Sequence, residues 1–399
     1  MTVHARPPHV SESNARLVAE SLIDELKKRA HLAEQERRVP EENIALLARS
    51  GLLHVLQPAQ CGGQQLSMRA HVDVISTVAR GCNATAWVLG VYHAHSWLLG
   101  HFSREAQTDV YGDSPDEPVA AVIGPRGKAV RAAGGRYRLS GFWPFASGNA
   151  AARWLLLGAE VFDERGAKLD DGDFLVPRQD VQILDDWHVA GLQGTGSSSV
   201  RCADVNVPPH RFLSMSALLE NQTGPYTDPA APALYKAQAG PVLGLCIAAS
   251  AAGVARSALD EFLKVVPGKK VLYTEHVSHE WAPLQKALGE AASLIHAAEL
   301  VLYRIADDID EYARRGEKMP MSLRGRIRMD IALAPRLCRD AVEKLYTIGG
   351  AAGLTLKSPI QRAARNLQAI NMHGFLLYDS GAEIYGRVLL GLDPGTVVI

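Results

Sequence analysis

The sequence GFWPFASGNAAARW, residues 141–154, constrains the fold of this chain more than any other stretch. It ends a predicted strand with aromatic residues, Trp143 and Phe145 among them, and a small polar turn follows at Ser147. An apolar wall beside exposed backbone amides would form a bed for a flat heteroaromatic ring, to which the Ser147 hydroxyl could hydrogen-bond. The alternative is a strand end packed in a barrel core, with Ser147 as an ordinary turn residue.

A second stretch, GLQGTGSSS at residues 191–199, combines glycine with serine and threonine. Its backbone amides and hydroxyls, those of Thr195, Gly196 and Ser197 among them, could hold a phosphate or the polar edge of a ring. A flexible hairpin has the same composition. Taken alone, this stretch leaves both interpretations open.

Both stretches lie in a predicted β region with helices on either side. From residue 119 to residue 212, short β-branched or alternating runs are separated by Gly, Pro and Asp turns, which predicts an antiparallel barrel or sandwich. Apolar residues at helical spacing predict two helices within 11–50 and further helices over 68–82, 84–101, 234–265, 275–316, 322–348 and 359–390. The predicted fold is α+β, with an N-terminal helical domain (1–112), a middle β domain (113–220) and a C-terminal four-helix bundle (221–399).

Composition narrows the classes of partner. In 399 residues, 42 Lys and Arg balance 43 Asp and Glu, so no overall basic field attracts nucleic acid or anionic membranes. No run of about eighteen apolar residues predicts a membrane span. The five cysteines are far apart in sequence, which predicts neither disulfides nor a metal site and favours a cytoplasmic protein.

The glycines at residues 349–353 follow a predicted helix, so they lack the strand–turn–helix context of a dinucleotide fingerprint. A Rossmann fold is therefore rejected. The acidic residues at 307–311 have no histidine at metal-ligand spacing, which favours a solvated helix face.

The motifs, taken together and in this order, resemble the acyl-CoA dehydrogenase-like flavoprotein superfamily. Residues 143–148 resemble its W-I-T-N-G turn, residues 152–154 its A-x-W, and residues 191–208 its G-x-R-x-[ST]…D-V-x-V-P stretch. Residues 349–366 resemble its G-G…P-x-x-R-x-x-R-D stretch. The resemblance spans almost the whole chain and implies the same three-part architecture.

Two departures from the dehydrogenase pattern indicate the branch. The barrel entry reads AAVIGPR at residues 120–126, where dehydrogenases carry T-E-P-x-A-G-S-D. Their glutamate base, commonly within Y-E-G-T, is missing from a register that reaches Met372-His373-Gly374, and without it an acyl thioester cannot lose its α-proton. The sequences WPFASG (143–148) and NMH (371–373) resemble instead the two-component flavin-dependent monooxygenases of this fold.

This resemblance implies residue roles. His373 would orient or deprotonate substrate and adduct, since a histidine changes charge near pH 6.5. A second histidine comes from an early helix, where His95 in its H-S-W context fits better than His93, which faces another direction. Ser147 would hold the flavin near N5. The implied catalytic residues are His373, His95 and Ser147; the implied cofactor-binding residues are Trp143, Phe145, Ala146, Ser147, Thr195, Gly196, Ser197, Gly349, Gly350, Arg362 and Arg365; and the implied substrate-binding residues are His93 and Asn371.

Some of these residues have plainer alternatives. His95 could be a histidine satisfied by backbone groups in a buried helix. Arg362 and Arg365 could solvate a helix face, although a flavin phosphate needs cationic partners.

The function implied is that of an oxygenase component. It would take reduced flavin, FMN or FAD, from a separate NAD(P)H:flavin reductase and use O2 to hydroxylate or oxygenate a small aromatic or polycyclic substrate through a C4a-hydroperoxyflavin. The resemblance also implies a homotetramer in which the region of Gly349 and Arg362 reaches a neighbour's flavin. The first alternative is an acyl-CoA dehydrogenase-type FAD oxidoreductase with an atypical base, and the second is a non-catalytic scaffold of the same fold.

Overall fold

The computed structural model describes residues 10–271 and 273–399, and the N-terminal part of the chain is helical. Its helices are α1 Ala15–Ser21, α2 Ile23–Glu36, α3 Glu41–Arg49, α4 Met68–Gly81, α5 Asn83–Leu99 and α6 Arg104–Tyr111. Every residue of α5 after Asn83 is buried, because its side chains are almost all apolar or small. Helix α5 is thus the central helix of this part and holds Trp87, His93 and His95 in fixed positions.

The middle part of the chain forms a sheet in the strand order β5-β6-β2-β1-β3-β4-β7. The strands are β1 Val119–Arg131, β2 Tyr137–Trp143, β3 Trp154–Phe162, β4 Lys168–Pro177, β5 Gln182–Ile183, β6 Val200–Val207 and β7 Phe212–Ser214. The predicted antiparallel pairing holds except between β1 and β3, which run parallel with Val119 opposite Trp154. After β2 the chain crosses past β1 instead of turning back, so residues 144–153 form a crossing that stands outside the sheet.

Trp143 ends β2 inside the core of the β part. Its side chain is completely buried, and its indole Nε1 donates a hydrogen bond of 2.7 Å to the Gly158 carbonyl. A Cβ atom at Gly127 or Gly141 would approach the indole to 2.3 or 2.6 Å, so both glycines make room for the ring. The structure therefore corrects the implied cofactor contact of Trp143: this side chain supports the turn from within the core.

The C-terminal part returns to helices. They are α7 Met215–Leu219, α8 Gly224–Thr227, α9 Ala239–Ala248, α10 Ser250–Val265, α11 Ala282–Arg315, α12 Met321–Ile348, α13 Pro359–Ile370 and α14 Tyr378–Leu389. The helix predicted from residue 275 begins at Ala282 instead, where Pro283 suits a first turn. The apolar stretch Ala239–Val265 is long enough to cross a membrane, but 83% of an 18-residue apolar segment within it is buried inside the protein, as expected of core helices.

The helix predicted over 359–390 is interrupted between Ile370 and Tyr378. Asn371 Nδ2 donates to the carbonyl oxygens of Leu367 and Pro335, at 2.8 and 3.0 Å. These side-chain hydrogen bonds take the place of the backbone hydrogen bonds that would continue the helix. The prediction of one continuous helix was wrong. The spacing of apolar residues within this stretch does not reveal a hydrogen bond to Pro335, which lies on a different helix, α12. The interruption turns His373 out of the helix.

Asp173 is a buried carboxyl group on β4. Its side chain is 1% exposed, and neither carboxyl oxygen has a hydrogen-bond partner in the described structure. Burial, together with the charge of the nearby Asp171, raises the pKa of Asp173 to about 7. The folded protein therefore favours the protonated acid, so this group lowers the free energy of unfolding as the pH rises from about 4 through 7.

We expect Asp173→Asn to stabilise the protein at pH 8 and to leave its stability nearly unchanged at pH 4. An amide resembles the neutral acid in shape but cannot ionise, and a shift to about 7 corresponds to at most about 4 kcal/mol. Melting temperatures of both proteins across this pH range measure the difference. Parallel curves would show that Asp173 has the same pKa in the folded and unfolded protein.

Candidate active site

The turn after β2 and the loop before β6 are joined by hydrogen bonds. The Gly148 N–H donates to the Thr195 carbonyl at 2.9 Å. Asn149 Nδ2 donates to the carbonyl oxygens of Ala146, Gly196 and Ser198, at 2.8, 3.0 and 3.2 Å. The two stretches that the sequence singled out therefore form one surface. Ala146 contributes only a backbone carbonyl to it, because its side chain is fully buried.

Phe145 provides the apolar part of this surface. Its backbone has φ of 67°, a left-handed conformation that is unusual for an aromatic residue, and its side chain is 65% exposed. The ring stands edge-on to Trp187, with centroids 6.0 Å apart. Gly148 is also left-handed, and a Cβ there would approach the Tyr92 hydroxyl to 2.7 Å, so the turn depends on glycine.

Ser147 lies beside this apolar surface and is partly exposed. Its Oγ is 2.7 Å from Ser197 Oγ, which is 2.6 Å from Thr195 Oγ1. The exposed Phe145 ring and the partly exposed Ser147 hydroxyl beside it fit the face and the polar edge of a flavin ring. Phe145 and Ser147 are the side chains here that could touch such a ring.

Trp87 joins Ser147 to His373, and the sequence analysis did not identify it. Its Nε1 donates to Ser147 Oγ at 3.2 Å, and its ring stands edge-on to His373 with centroids 5.8 Å apart. Within an apolar helix, Trp87 carries no signal that separates it from the buried Tyr92 or Trp97. Ser147 from the β part and His373 from the C-terminal part thus both contact the indole of Trp87 on α5.

His373 presents a hydrogen-bond donor. The ring is accessible to water yet surrounded by protein on most sides, and this burial, with the charge of Arg328, lowers its pKa to about 4. His373 is therefore neutral at pH 7. Nδ1 accepts a hydrogen bond of 3.2 Å from the Phe375 N–H, so the ring proton lies on Nε2.

His95 presents a hydrogen-bond acceptor, whereas His373 presents a donor. Its Nδ1 lies 2.6 Å from the Val119 carbonyl oxygen, which can only accept, so Nδ1 carries the proton and Nε2 carries a lone pair. Burial lowers the pKa of His95 to about 4, which keeps the ring neutral. The backbone contact expected of a purely structural histidine is present, but it uses only one of the two nitrogens.

His93 has both nitrogens occupied within the protein. It is completely buried, with Nε2 2.7 Å from the Leu52 carbonyl and Nδ1 2.9 Å from His71 Nδ1. No nitrogen of His93 is left for a substrate. The structure thus corrects the substrate-binding role implied for His93.

Arg328, on α12, holds the loop that carries His373. Its Nη1 donates to the Phe375 carbonyl at 2.6 Å, and its Nη2 to the Gly374 carbonyl at 3.4 Å. Its guanidinium carbon lies 4.4 Å from the centre of the Phe375 ring. Among the described residues no carboxylate pairs with Arg328, and burial lowers its pKa. Asn371 fixes the start of the same loop through its hydrogen bond to the Pro335 carbonyl.

We expect Arg328→Gln to loosen residues 371–377 in the protein without flavin, because glutamine cannot bridge both carbonyl oxygens. Faster amide hydrogen exchange confined to this loop would measure the effect, and Arg339→Gln on the same helix is the control. Unchanged exchange in Arg328→Gln would show that Asn371 holds the loop alone.

Arg362 and Arg365 form ion pairs with one carboxylate. Glu34 on α2 accepts from Arg362 Nε at 3.0 Å and from Arg365 Nη2. Arg365 also donates to the Ala190 carbonyl. The two guanidiniums therefore link α13 to α2, and the cofactor-binding role implied for them stays a prediction. Gly349 and Gly350 lie exposed after α12.

A cleft of about 320 Å³ opens between α2, α10 and α13, and Leu192, Gln193 and Gly194 of the loop before β6 also line it. Neither Ser147 nor His373 lines it; its charged residues are Lys27, His31, Glu34, Glu261, Lys357 and Arg362. Within residues 10–271 and 273–399, no three His, Cys, Asp or Glu side chains are placed to hold a metal ion.

Sequence comparison places these features in a family. Residues 12–112 match the family model of the acyl-CoA dehydrogenase N-terminal domain, and residues 245–377 that of the C-terminal domain. The oxygenase subunit HsaA of a flavin-dependent monooxygenase from Mycobacterium tuberculosis is 32% identical over 95% of this chain and 96% of its own length. The oxygenase component of an FADH2-dependent resorcinol hydroxylase from Rhizobium sp. is 31% identical over 98% of both chains.

Solved structures agree with the sequence relatives. The crystal structure of HsaA from M. tuberculosis superposes with a TM-score of 0.90, at 31% identity over 97% of this chain and 99% of that one. XiaF from Streptomyces sp., in complex with FADH2 and glycerol, gives a TM-score of 0.91 at 28% identity over 96% of both chains. These matches confirm the fold class and the resemblance. The chain belongs to the flavin-dependent monooxygenases of the acyl-CoA dehydrogenase fold, as an oxygenase component that uses reduced flavin and O2 and depends on a separate flavin reductase.

Proposed function

We propose that Ser147, Trp87, His95 and His373 form the active site and that the substrate is a phenol. The observation that carries this proposal is the contact of Trp87 with both Ser147 and His373. Relatives named for resorcinol and p-hydroxyphenylacetate act on phenols, at 31% and 27% identity. Phenols are also the class whose ring carbons become nucleophilic when a base removes the hydroxyl proton.

Each residue has a chemical task in this proposal. Ser147 and Phe145 would hold the flavin, with the Ser147 hydroxyl toward N5 and the Phe145 ring against part of the ring system. His95 Nε2, which carries a lone pair, accepts the phenol proton, and His373 Nε2–H donates a hydrogen bond to an oxygen atom in the site. One atom of O2 would enter the substrate and the other would leave as water, with the two electrons supplied by reduced flavin when it is bound. Among residues 371–377 there is no carboxylate, which disfavours the dehydrogenase alternative.

Oxygen isotope labelling tests this proposal. The protein, a flavin reductase and NADH are incubated with 18O2 and a panel of phenols, and products are identified by mass spectrometry. One 18O atom per product, with no NADH oxidation by the protein alone, is expected. Reduction of bound flavin by an acyl thioester under anaerobic conditions would overturn the proposal in favour of a dehydrogenase.

We also propose a cytoplasmic homotetramer. Several large apolar side chains of the C-terminal part are exposed, among them Leu354, Leu356, Leu389 and Leu390, at 65–76%. A neighbouring subunit that covers them would also bring Gly349 and Gly350 toward its own flavin, as the resemblance implies. The free thiols of all five cysteines suit a reducing compartment.

We expect a mass of four times 43.1 kDa in light scattering at micromolar concentration. Leu356→Glu together with Leu390→Glu would shift this mass downward, since charges oppose burial in an interface. A monomeric wild-type protein would contradict the proposal.

A further inference from the structure

The hydroxyl groups beside Ser147 form a chain between two backbone-fixed ends. At one end Thr195 Oγ1 lies 2.8 Å from the Leu192 carbonyl oxygen, and Ser197 Oγ links Thr195 to Ser147. At the other end Trp87 Nε1 lies 3.2 Å from Ser147 Oγ. The chain thus begins at a pure donor and ends at a pure acceptor.

These two ends determine which hydroxyl donates and which accepts in each hydrogen bond of the chain. Thr195 donates to Leu192, because the reverse order would place lone pairs face to face at 2.8 Å. Thr195 Oγ1 then accepts from Ser197, and Ser197 Oγ accepts from Ser147. Trp87 donates to Ser147, so the Ser147 proton is committed to Ser197 and one lone pair of Ser147 Oγ remains free.

Burial preserves this order. Thr195 is 1% exposed and Ser197 is 3% exposed, so water cannot offer their hydroxyls other partners. Any reversal within the chain would leave a buried donor or acceptor unsatisfied, which is costly.

We infer that the Thr195–Ser197–Ser147 chain makes Ser147 a hydrogen-bond acceptor toward its ligand and thereby selects reduced over oxidised flavin. This inference rests on the proposed placement of Ser147 at flavin N5. Reduced flavin carries an N–H group at N5, whereas oxidised flavin carries a lone pair there. An acceptor at this position binds the first and repels the second, which suits an enzyme that receives flavin reduced and releases it oxidised.

Dissociation constants of the two redox states test the inference. Oxidised FMN and FAD are titrated by fluorescence, and the dithionite-reduced forms anaerobically by ultrafiltration. In Ser197→Ala the Ser147 proton loses its acceptor and becomes free to donate to oxidised flavin. We expect the preference for reduced flavin to fall about 3- to 10-fold, the range of one hydrogen bond.

Matched variants separate this effect from a general disturbance. Ser198→Ala makes the same change one residue away, at a hydroxyl outside the chain, and should keep the wild-type preference. Thr195→Val keeps the side-chain shape, removes the contact with Leu192 and should lower the preference as Ser197→Ala does. It also covers the case in which Ser197→Ala fails to fold, as judged by its melting temperature.

The outcomes distinguish the inference from the proposed function. Wild-type protein that binds no reduced flavin would overturn the proposed function itself. Wild-type protein that prefers reduced flavin, with the same preference in Ser197→Ala and Thr195→Val as in Ser198→Ala, would overturn only the inference. Ser147→Ala should weaken binding of reduced flavin alone, and equal weakening for both redox states would also overturn the inference.

Discussion

His373→Asn is expected to lower the rate of product formation about 10²–10³-fold and to raise the hydrogen peroxide released per flavin oxidised. Asparagine Oδ1 can replace Nδ1 as the acceptor for the Phe375 N–H, so the loop keeps its shape. What is lost is the Nε2–H donor, which we assign to an oxygen atom during reaction. Product and peroxide, measured together against flavin oxidised, report the loss of coupling.

Two further variants control this experiment. His373→Gln can place an N–H group near the position of Nε2 and should recover part of the rate, whereas His373→Ala removes both interactions and should be at least as damaging as His373→Asn. If a folded His373→Asn protein couples oxygen use to product as the wild type does, His373 has no part in the chemistry.

His95→Asn is expected to reduce the rate of product formation from a phenol by about 10²–10⁴-fold, the range for loss of a general base. Asparagine Nδ2 can still donate to the Val119 carbonyl, so the contact between α5 and β1 survives. The Nε2 lone pair, which we propose accepts the phenol proton, is lost. Because an ionised phenol needs no base, the deficit should shrink as the pH approaches the pKa of the substrate.

His93 supplies the matched control for His95, two residues away on the same helix. His93→Gln should lower the melting temperature, since a buried contact with His71 is broken, but should leave the rate per folded protein unchanged. Equal losses of rate in His93→Gln and His95→Asn would assign both effects to a disturbed helix and remove His95 from the proposed mechanism.

The sequence identified the two stretches that build the surface around Ser147, because strand ends and Gly/Ser turns depend on local residues. It did not identify Trp87, whose importance comes from partners in two other parts of the chain. The interruption after Ile370 was missed for a similar reason: Asn371 ends the helix by reaching Pro335 on α12. The predicted boundaries at residues 112 and 220 remain predictions.

Charged residues were the least predictable part of the site. Arg362 and Arg365 matched a motif, yet both form ion pairs with Glu34, which lies more than three hundred residues away in sequence. His93 and His95 were separable by context, but only the structure shows which nitrogens are occupied. Hydrogen-bond direction depends on partners distant in sequence, so residue types alone do not determine it.

The contacts that hold the loop between β5 and β6 affect how this protein can be recombined with its relatives. The loop from Asp185 to Leu192 is bound by Arg37 on one side and by Arg365 and Asn366 on the other. A chimaera that takes its helical N-terminal part from one parent and its C-terminal part from another would keep this loop in place only where both parents supply the residues that make these contacts. When parts are exchanged between homologues, the loop has to be transferred together with Arg37, Arg365 and Asn366, because these residues belong to different parts of the chain.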